Sequence, residues 1–103
     1  MTGQWFREEG ETVEEKIYAA PERVDTNNAA KVEIELKNLV DEGVKDLVFD
    51  MGNMQYISSA GLRVLLSIQK KLSGKGTFTL INVPDAVREI LDVTGFAGLL
   101  TIK

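Results

Sequence analysis

Residues 48–66 read VFDMGNMQYISSAGLRVLL, and this stretch decides the fold of the chain. It opens inside a short apolar run that starts at Leu47, which is typical of a strand buried on both faces. A polar loop over residues 51–57 follows. Apolar residues then recur at helical spacing, which predicts a helix from Ser58 to about residue 73. Strand, loop and helix in this order indicate one unit of an α/β protein.

The segments upstream of this stretch repeat the alternation of strands and helices. We predict strands over residues 4–8 and 12–20, which together could form a hairpin, and then a loop over residues 21–26. Thr26 or Asn27 is the expected N-cap of a helix that runs to about residue 41 and ends at Gly43. A strand over residues 45–50 leads into the quoted stretch.

Downstream, a strand is predicted over residues 77–81 and a third helix starts with Pro84 as its first residue and ends at Gly95. Residues 99–102 are expected to form a last short strand or a helical turn. The whole pattern predicts a single α/β domain over residues 1–103. We expect a small sandwich with a mixed, mostly parallel sheet of four to five strands and about three to four helices.

Composition removes several classes of function. The chain has no histidine and no cysteine, which excludes disulfides, thiolate metal sites and a Ser-His-Asp triad. A formal net charge of -4 disfavours nucleic acid as a partner. Neither a signal peptide nor a bilayer-length apolar run is visible. We therefore expect a cytoplasmic protein with no direct membrane insertion, no metal, no cofactor and no enzymatic activity.

Two adjacent hydroxyls, Ser58 and Ser59, stand at the predicted start of the second helix. Ser58 could simply be the N-cap, a role whose loss typically costs about 1 kcal/mol. The pair could also accept a phosphate, which adds about -1.5 to -2 charges. A helix N-terminus tolerates that charge, with a favourable term of about 0.3–1 kcal/mol. A partner surface at the same place would lose several kcal/mol, so the site suits a switch of binding better than a switch of folding.

Three further residues allow a structural and a functional interpretation. Gly61 could permit close packing of the helix on the sheet, or close approach by a partner. Asp25 could cap the entry to the first helix, and Asp50 could bind loop N–H groups at a strand end. Both acids could instead serve function, although no motif supports a catalytic pair.

At residues 56–66, YISSAGLRVLL, the chain resembles the signature of STAS domains that act as anti-sigma factor antagonists. The similarity covers nearly the whole chain, since residues 22–25, 47–50, 87–91 and 94–96 resemble further segments of that family. Members commonly carry Asp-Ser-Ser-Gly or Asp-Ser-Thr-Gly in the signature. Ser58 takes the place of that Asp, Ser59 of the first hydroxyl residue and Ala60 of the second. The resemblance therefore favours Ser59 as the phosphorylation site, with Ser58 as the alternative.

This resemblance implies a STAS-like fold and a partner-switching protein. Such a protein binds an anti-sigma factor that is a serine kinase, frees the sigma factor, is released on phosphorylation and is restored by a serine phosphatase. The alternative is a non-phosphorylated STAS binding subunit of a transport complex or of a stress-signalling scaffold. A small enzyme or nucleotide binder that uses the two acids is the least favoured reading. The residues expected to form the partner surface are Asp25, Asn53, Tyr56, Ser58, Ser59, Gly61 and Arg63.

Overall fold

A computed structural model describes residues 15–103 of the chain. Within them, strands and helices alternate along the sequence. The strands are β1 (Glu15–Ala19), β2 (Arg23–Val24), β3 (Asp46–Asp50), β4 (Tyr56–Ile57), β5 (Thr77–Ile81) and β6 (Thr101–Ile102). The helices are α1 (Ala29–Asp41), α2 (Ser59–Leu72), α3 (Asp85–Thr94) and a short 3₁₀ helix at Phe96–Gly98.

The strands form two separate sheets, and every described strand pair is parallel. The main sheet has the order β1-β3-β5-β6. A two-stranded ribbon pairs β2 with β4. Parallel neighbours need a crossover connection, and α1 and α2 supply it between β1, β3 and β5. The predicted α/β class and mostly parallel sheet are confirmed.

The apolar residues of the predicted stripes meet in one core. On the central strands the residues that alternate towards the helices are fully buried, whereas their neighbours are only partly covered. The largest buried side chains of the sheet and helices are Leu47, Phe49, Phe78, Leu80, Leu36, Leu65, Ile68, Leu72 and Leu91. In the part of the chain that the structure describes, no buried residue is polar or charged.

Strand β1, the outermost of the described strands on its side of the sheet, is attached to this core through Tyr18. Its ring stacks on Phe49 with centroids 5.6 Å apart and planes 5° apart. Its hydroxyl donates a hydrogen bond to Glu35 on α1. Burial of the phenol, followed by the hydrogen bond and charge of Glu35, raises the pKa of Tyr18 well above its usual range.

Several sequence-based boundaries need correction. Residues 23–24 and 56–57 were predicted as loop, yet they pair as β2 and β4. The N-cap of α1 is Asn28 rather than Thr26 or Asn27, and Pro84 is the N-cap of α3 rather than its first residue. The strand predicted over residues 12–20 is confirmed for Glu15–Ala19. The rest of the predicted hairpin lies outside the described residues.

Helix ends follow the expected chemistry at two glycines. Gly43 has φ of 108° and Gly95 has φ of 82°, a left-handed conformation that other residues adopt at a cost. They stop α1 and α3 as predicted. None of the helices in residues 15–103 has the length and apolar character needed to cross a membrane.

Candidate functional site

The β2–β4 ribbon fixes the start of α2. Arg23 pairs with Tyr56 and Val24 with Ile57 in parallel register. The N–H of Ser58 continues this ladder and donates to the Val24 carbonyl oxygen at 2.9 Å. The residue just before the helix is therefore held by the segment that precedes α1, more than thirty residues away along the chain.

Ser58 is the N-cap of α2, as the sequence predicted. Its backbone is extended, with φ of -90° and ψ of 174°. Its Oγ accepts a hydrogen bond from the Gly61 N–H at 3.3 Å, and its carbonyl oxygen accepts from the Leu62 N–H at 2.9 Å. The hydroxyl thus satisfies one of the amides that a helix N-terminus leaves unpaired.

Ser59 is the first residue of α2 and is exposed. In residues 15–103 its hydroxyl has neither a hydrogen-bond partner nor another recorded contact. The two serines therefore differ, since the Ser58 hydroxyl caps the helix while Ser59 is exposed and its hydroxyl makes no contact with the other described residues. That difference makes Ser59 the more accessible of the two to a modifying enzyme.

Gly61 packs against the ribbon. It is buried, and a Cβ built on it would lie 2.7 Å from Ile57 Cγ1, 2.8 Å from Val24 Cγ1 and 3.0 Å from the Val24 carbonyl oxygen. The first two distances are shorter than normal contacts of a Cβ atom, and the third is at the tight limit of such contacts. Of the two interpretations offered by the sequence, the geometry supports close packing. Gly61 lies beneath the surface that carries Ser59.

A charged and aromatic cluster stands beside the serines. The Arg23 guanidinium lies 4.6 Å from the centroid of the Tyr56 ring, which is within cation–π range. Arg23 Nε is 3.5 Å from Asp25 Oδ2, and the other oxygen of that carboxylate accepts from the Asn27 N–H at 2.9 Å. Asp25 therefore shapes the turn before α1 and also orients Arg23.

Arg23 was missed as a site residue by the sequence analysis. Its position opposite Tyr56 depends on the register of β2 and β4, and both strands lay in predicted loops. Asn53 is exposed in the turn before β4 and makes no hydrogen bond or ion pair with the other described residues. It remains a predicted site residue that no contact joins to the serines.

Asp50 has a structural role at the carboxyl end of β3. Its Oδ1 accepts from the Gly52 N–H at 2.9 Å and from Asn82 Nδ2 at 3.1 Å. Asp25 and Asp50 thus have separate sets of partners, and neither carboxylate binds the other. Among residues 15–103, no three acidic side chains come together as a metal site would need.

Arg63 borders a groove between α1 and α2. The groove has a volume of about 330 Å³. Glu33 also lines this groove. Its Oε2 lies 3.2 Å from Lys37 Nζ. The hydrogen bonds to Lys37 and then to Ser67 lower the pKa of Glu33. The groove is lined by Thr26, Ala29, Ala30, Glu33, Ala60, Arg63 and Val64.

Residues 8–103 match the STAS domain. The ribbon, the Ser58 cap and the exposed Ser59 all lie within the matched residues. The chain belongs to the STAS domain family. It is related to the anti-sigma factor antagonists of that family, which generally are binding modules rather than enzymes. BtrV of Bordetella bronchiseptica, which is named as an anti-sigma factor antagonist, is 39% identical over 80 residues, covering 77% of this chain and 69% of BtrV.

Solved structures share the fold of this STAS domain. Unphosphorylated SpoIIAA of Bacillus, an anti-sigma factor antagonist, aligns with a TM-score of 0.75 at 14% identity, over 87% of this chain and 80% of SpoIIAA. Its phosphorylated form gives 0.67 at 13% identity, over 87% and 83%. A sulfate transporter family protein of Wolinella succinogenes gives 0.66 at 25% identity, over 84% and 70%.

Proposed function

We propose that this STAS domain is an anti-sigma factor antagonist regulated by phosphorylation of Ser59. It binds an anti-sigma factor serine kinase and thereby releases a sigma factor. The kinase then phosphorylates the domain and frees itself, and a serine phosphatase reverses the modification. The relation to BtrV supports this role. We place this binding cycle in the cytoplasm, where sigma factors act. In this proposal residues 1–103 form one domain, which acts by binding and is not an enzyme.

The observation that carries the proposal is the contrast between the two serines. The Ser59 hydroxyl is exposed and unpaired in the described residues, while the Ser58 hydroxyl caps α2. A kinase can phosphorylate the Ser59 hydroxyl without breaking the helix cap that Ser58 makes. SpoIIAA, which shares this fold, exists in a phosphorylated and an unphosphorylated form.

The surface around Ser59 supplies what a protein partner can recognise. Tyr56 is 40% exposed, and its ring together with the Arg23 guanidinium forms a flat, partly charged platform. Tyrosine and arginine are enriched among residues that dominate binding energy at interfaces. We assign the partner surface to Arg23, Asp25, Asn53, Tyr56, Ser58, Ser59 and Arg63, and Gly61 contributes by letting α2 approach the ribbon.

Phosphorylation at Ser59 changes binding more than folding. The dipole at the start of α2 favours the added charge by about 0.3–1 kcal/mol. A partner packed on the same surface would have to desolvate a group of about -1.5 to -2 charges. Mismatched charge at an interface costs several kcal/mol, which exceeds a hundredfold in affinity, since each 1.4 kcal/mol is about tenfold.

A mass measurement tests the modification. The purified chain is incubated with ATP and an anti-sigma factor serine kinase, and the gain of one phosphate is followed by intact mass. We expect Ser59→Ala to abolish the gain. Ser58→Ala, which removes the neighbouring hydroxyl, serves as the matched control and should still be phosphorylated. If Ser59→Ala gains as much phosphate as Ser58→Ala, the assignment of Ser59 as the acceptor is contradicted.

Partner affinity tests the switch itself. Ser59→Asp should weaken binding to the same kinase by at least about tenfold relative to Ser59→Asn, because only the former adds charge to the buried interface. Equal affinities for the two variants would contradict the switching role even if phosphate is found on Ser59.

The second candidate function is a binding subunit without phosphorylation. The shared fold with a sulfate transporter family protein supports it, and so does Ser58 in the place where antagonists commonly have Asp. In that case the chain would form a stable complex with a transport or stress-signalling protein, and Ser59→Asp and Ser59→Asn would bind it equally well.

A further inference from the structure

We propose that Arg63 captures the phosphate group of phosphorylated Ser59 within the same helix. This inference rests on the proposed modification of Ser59 and describes what the modified domain does with the new charge. Capture places the phosphate along the first turns of α2 and draws Arg63 out of the partner surface. Phosphorylation would then add an anion to that surface and remove a cation from it at the same time.

The spacing of the two residues permits the contact. Ser59 and Arg63 are four residues apart on α2, and both are exposed. Residues at this spacing lie on one face of a helix with Cβ atoms about 5–6 Å apart. An anionic side chain that precedes a cationic one by four residues is the more favourable order, because it also matches the helix dipole.

Arg63 is available for this contact, unlike the other arginines among residues 15–103. Arg23 is engaged by Asp25 and Tyr56, and Arg88 is 3.3 Å from Asp92. Arg63 has no recorded hydrogen bond or ion pair in the described part of the chain. It is therefore a cation without a fixed counter-ion beside the modification site.

Two acidic groups beside this face, Glu33 and Asp25, are already paired. Glu33, across the groove on α1, is held by Lys37 at 3.2 Å, with its pKa lowered by Lys37 and Ser67. Asp25 is held by Arg23 and by the Asn27 N–H. The first turn of α2 contains no acidic residue. A phosphate on Ser59 thus meets Arg63 without a competing carboxylate on its own helix.

Arginine is well suited to this partner. Its planar guanidinium can donate two parallel hydrogen bonds to a phosphate, and it stays charged at every relevant pH. A lysine at the same position would act only as a point charge. The contact stabilises the dianion, so it should lower the second pKa of the phosphate, which is about 6 for an unperturbed phosphoserine.

The test uses a chain into which phosphoserine is incorporated at position 59 during synthesis, so that no kinase is needed. The pH titration of the phosphate is followed by ³¹P NMR. We expect the phosphate pKa to rise by about 0.15–0.4 unit in Arg63→Gln relative to the unsubstituted phosphoprotein. Arg63→Lys should lie between the two, because charge is kept and the bidentate geometry is lost.

Lys70→Gln provides the matched control. Lys70 is exposed on the last turn of the same helix, about 16 Å from position 59 along the axis, given a rise of about 1.5 Å per residue. Lys70→Gln also removes one positive charge, but at a distance from position 59 that exceeds one Debye length, which is about 8 Å at physiological salt. It should leave the phosphate pKa unchanged. Circular dichroism establishes that each variant is folded.

Equal phosphate pKa values for Arg63→Gln and the unsubstituted phosphoprotein would overturn the proposal, and so would an equal rise in Lys70→Gln. A failure of the proposed function is a separate result. It would appear as absence of kinase-dependent phosphate on Ser59, whereas this titration starts from a phosphate that is already in place.

Discussion

Substitution of Gly61 by alanine sets helix propensity against packing. By propensity alone, alanine should stabilise α2 by up to about 1 kcal/mol. The new methyl group would lie 2.7 Å from Ile57 Cγ1, 2.8 Å from Val24 Cγ1 and 3.0 Å from the Val24 carbonyl oxygen. We expect the unfavourable contacts of the methyl group to outweigh the gain in helix propensity.

The neighbours of Gly61 have little room to move. Valine and isoleucine side chains are stiff at χ1, and the Val24 carbonyl oxygen is fixed by the hydrogen bond from the Ser58 N–H at 2.9 Å. Overpacking of this kind costs about 1–3 kcal/mol. After the propensity gain is subtracted from the upper part of that range, Gly61→Ala should lose about 1–2 kcal/mol of stability.

Urea denaturation and thermal melting measure this loss. For a domain of this size it corresponds to a fall of about 4–16 °C in the melting temperature. Gly98→Ala is the matched control, because a Cβ at Gly98 in the 3₁₀ helix would meet nothing within 4 Å. It should be neutral or slightly stabilising. Gly61→Ala with a stability equal to or above that of the unsubstituted chain would refute the packing argument.

Substitutions at Ser58, Asp50 and Tyr18 test three further contacts. Ser58→Ala should cost about 0.5–1 kcal/mol in urea denaturation, while Ser59→Ala should stay within about 0.5 kcal/mol, since only the former hydroxyl caps α2. Asp50→Ala should cost about 1–2 kcal/mol, because the amide of Asn82 and a loop N–H lose their acceptor; a smaller loss in Asp50→Ala than in Ser59→Ala would contradict this. Because the folded-state pKa of Tyr18 is raised, the unfolded chain releases its proton first, so stability should fall as pH rises above about 10. Tyr18→Phe should show a weaker fall over the same pH range, and identical slopes would argue against the shift.

The sequence predicted the elements that carry a periodic signal. β3, β5, α2 and α3 each contain enough residues for an alternating or helical pattern to appear, and all four lie where they were expected. β2 and β4 have two residues each, so neither period can be read from them. Their pairing depends on a contact between distant segments, which a local pattern does not contain.

The same limit applied to the site. Ser58 as N-cap followed from local chemistry alone, because a serine precedes a strong helical pattern. The cation–π pair of Arg23 and Tyr56 and the burial of Gly61 both follow from the register of the ribbon. The N-cap of α1 was predicted too early because several polar residues precede that helix. The Asp25 carboxylate accepts from the Asn27 N–H in a turn, so that the N-cap is Asn28.

The ribbon explains how a modification at Ser59 can act on binding while the fold persists. The backbone at the start of α2 is fixed from beneath by Val24 and by the close approach of Gly61, and the cap is made by Ser58. None of these contacts uses the Ser59 side chain. A phosphate there gains about 0.3–1 kcal/mol from the helix dipole, whereas a buried partner surface loses several kcal/mol. Under the proposed function the difference would fall on the complex, because none of the contacts that hold the helix involves the residue proposed for modification.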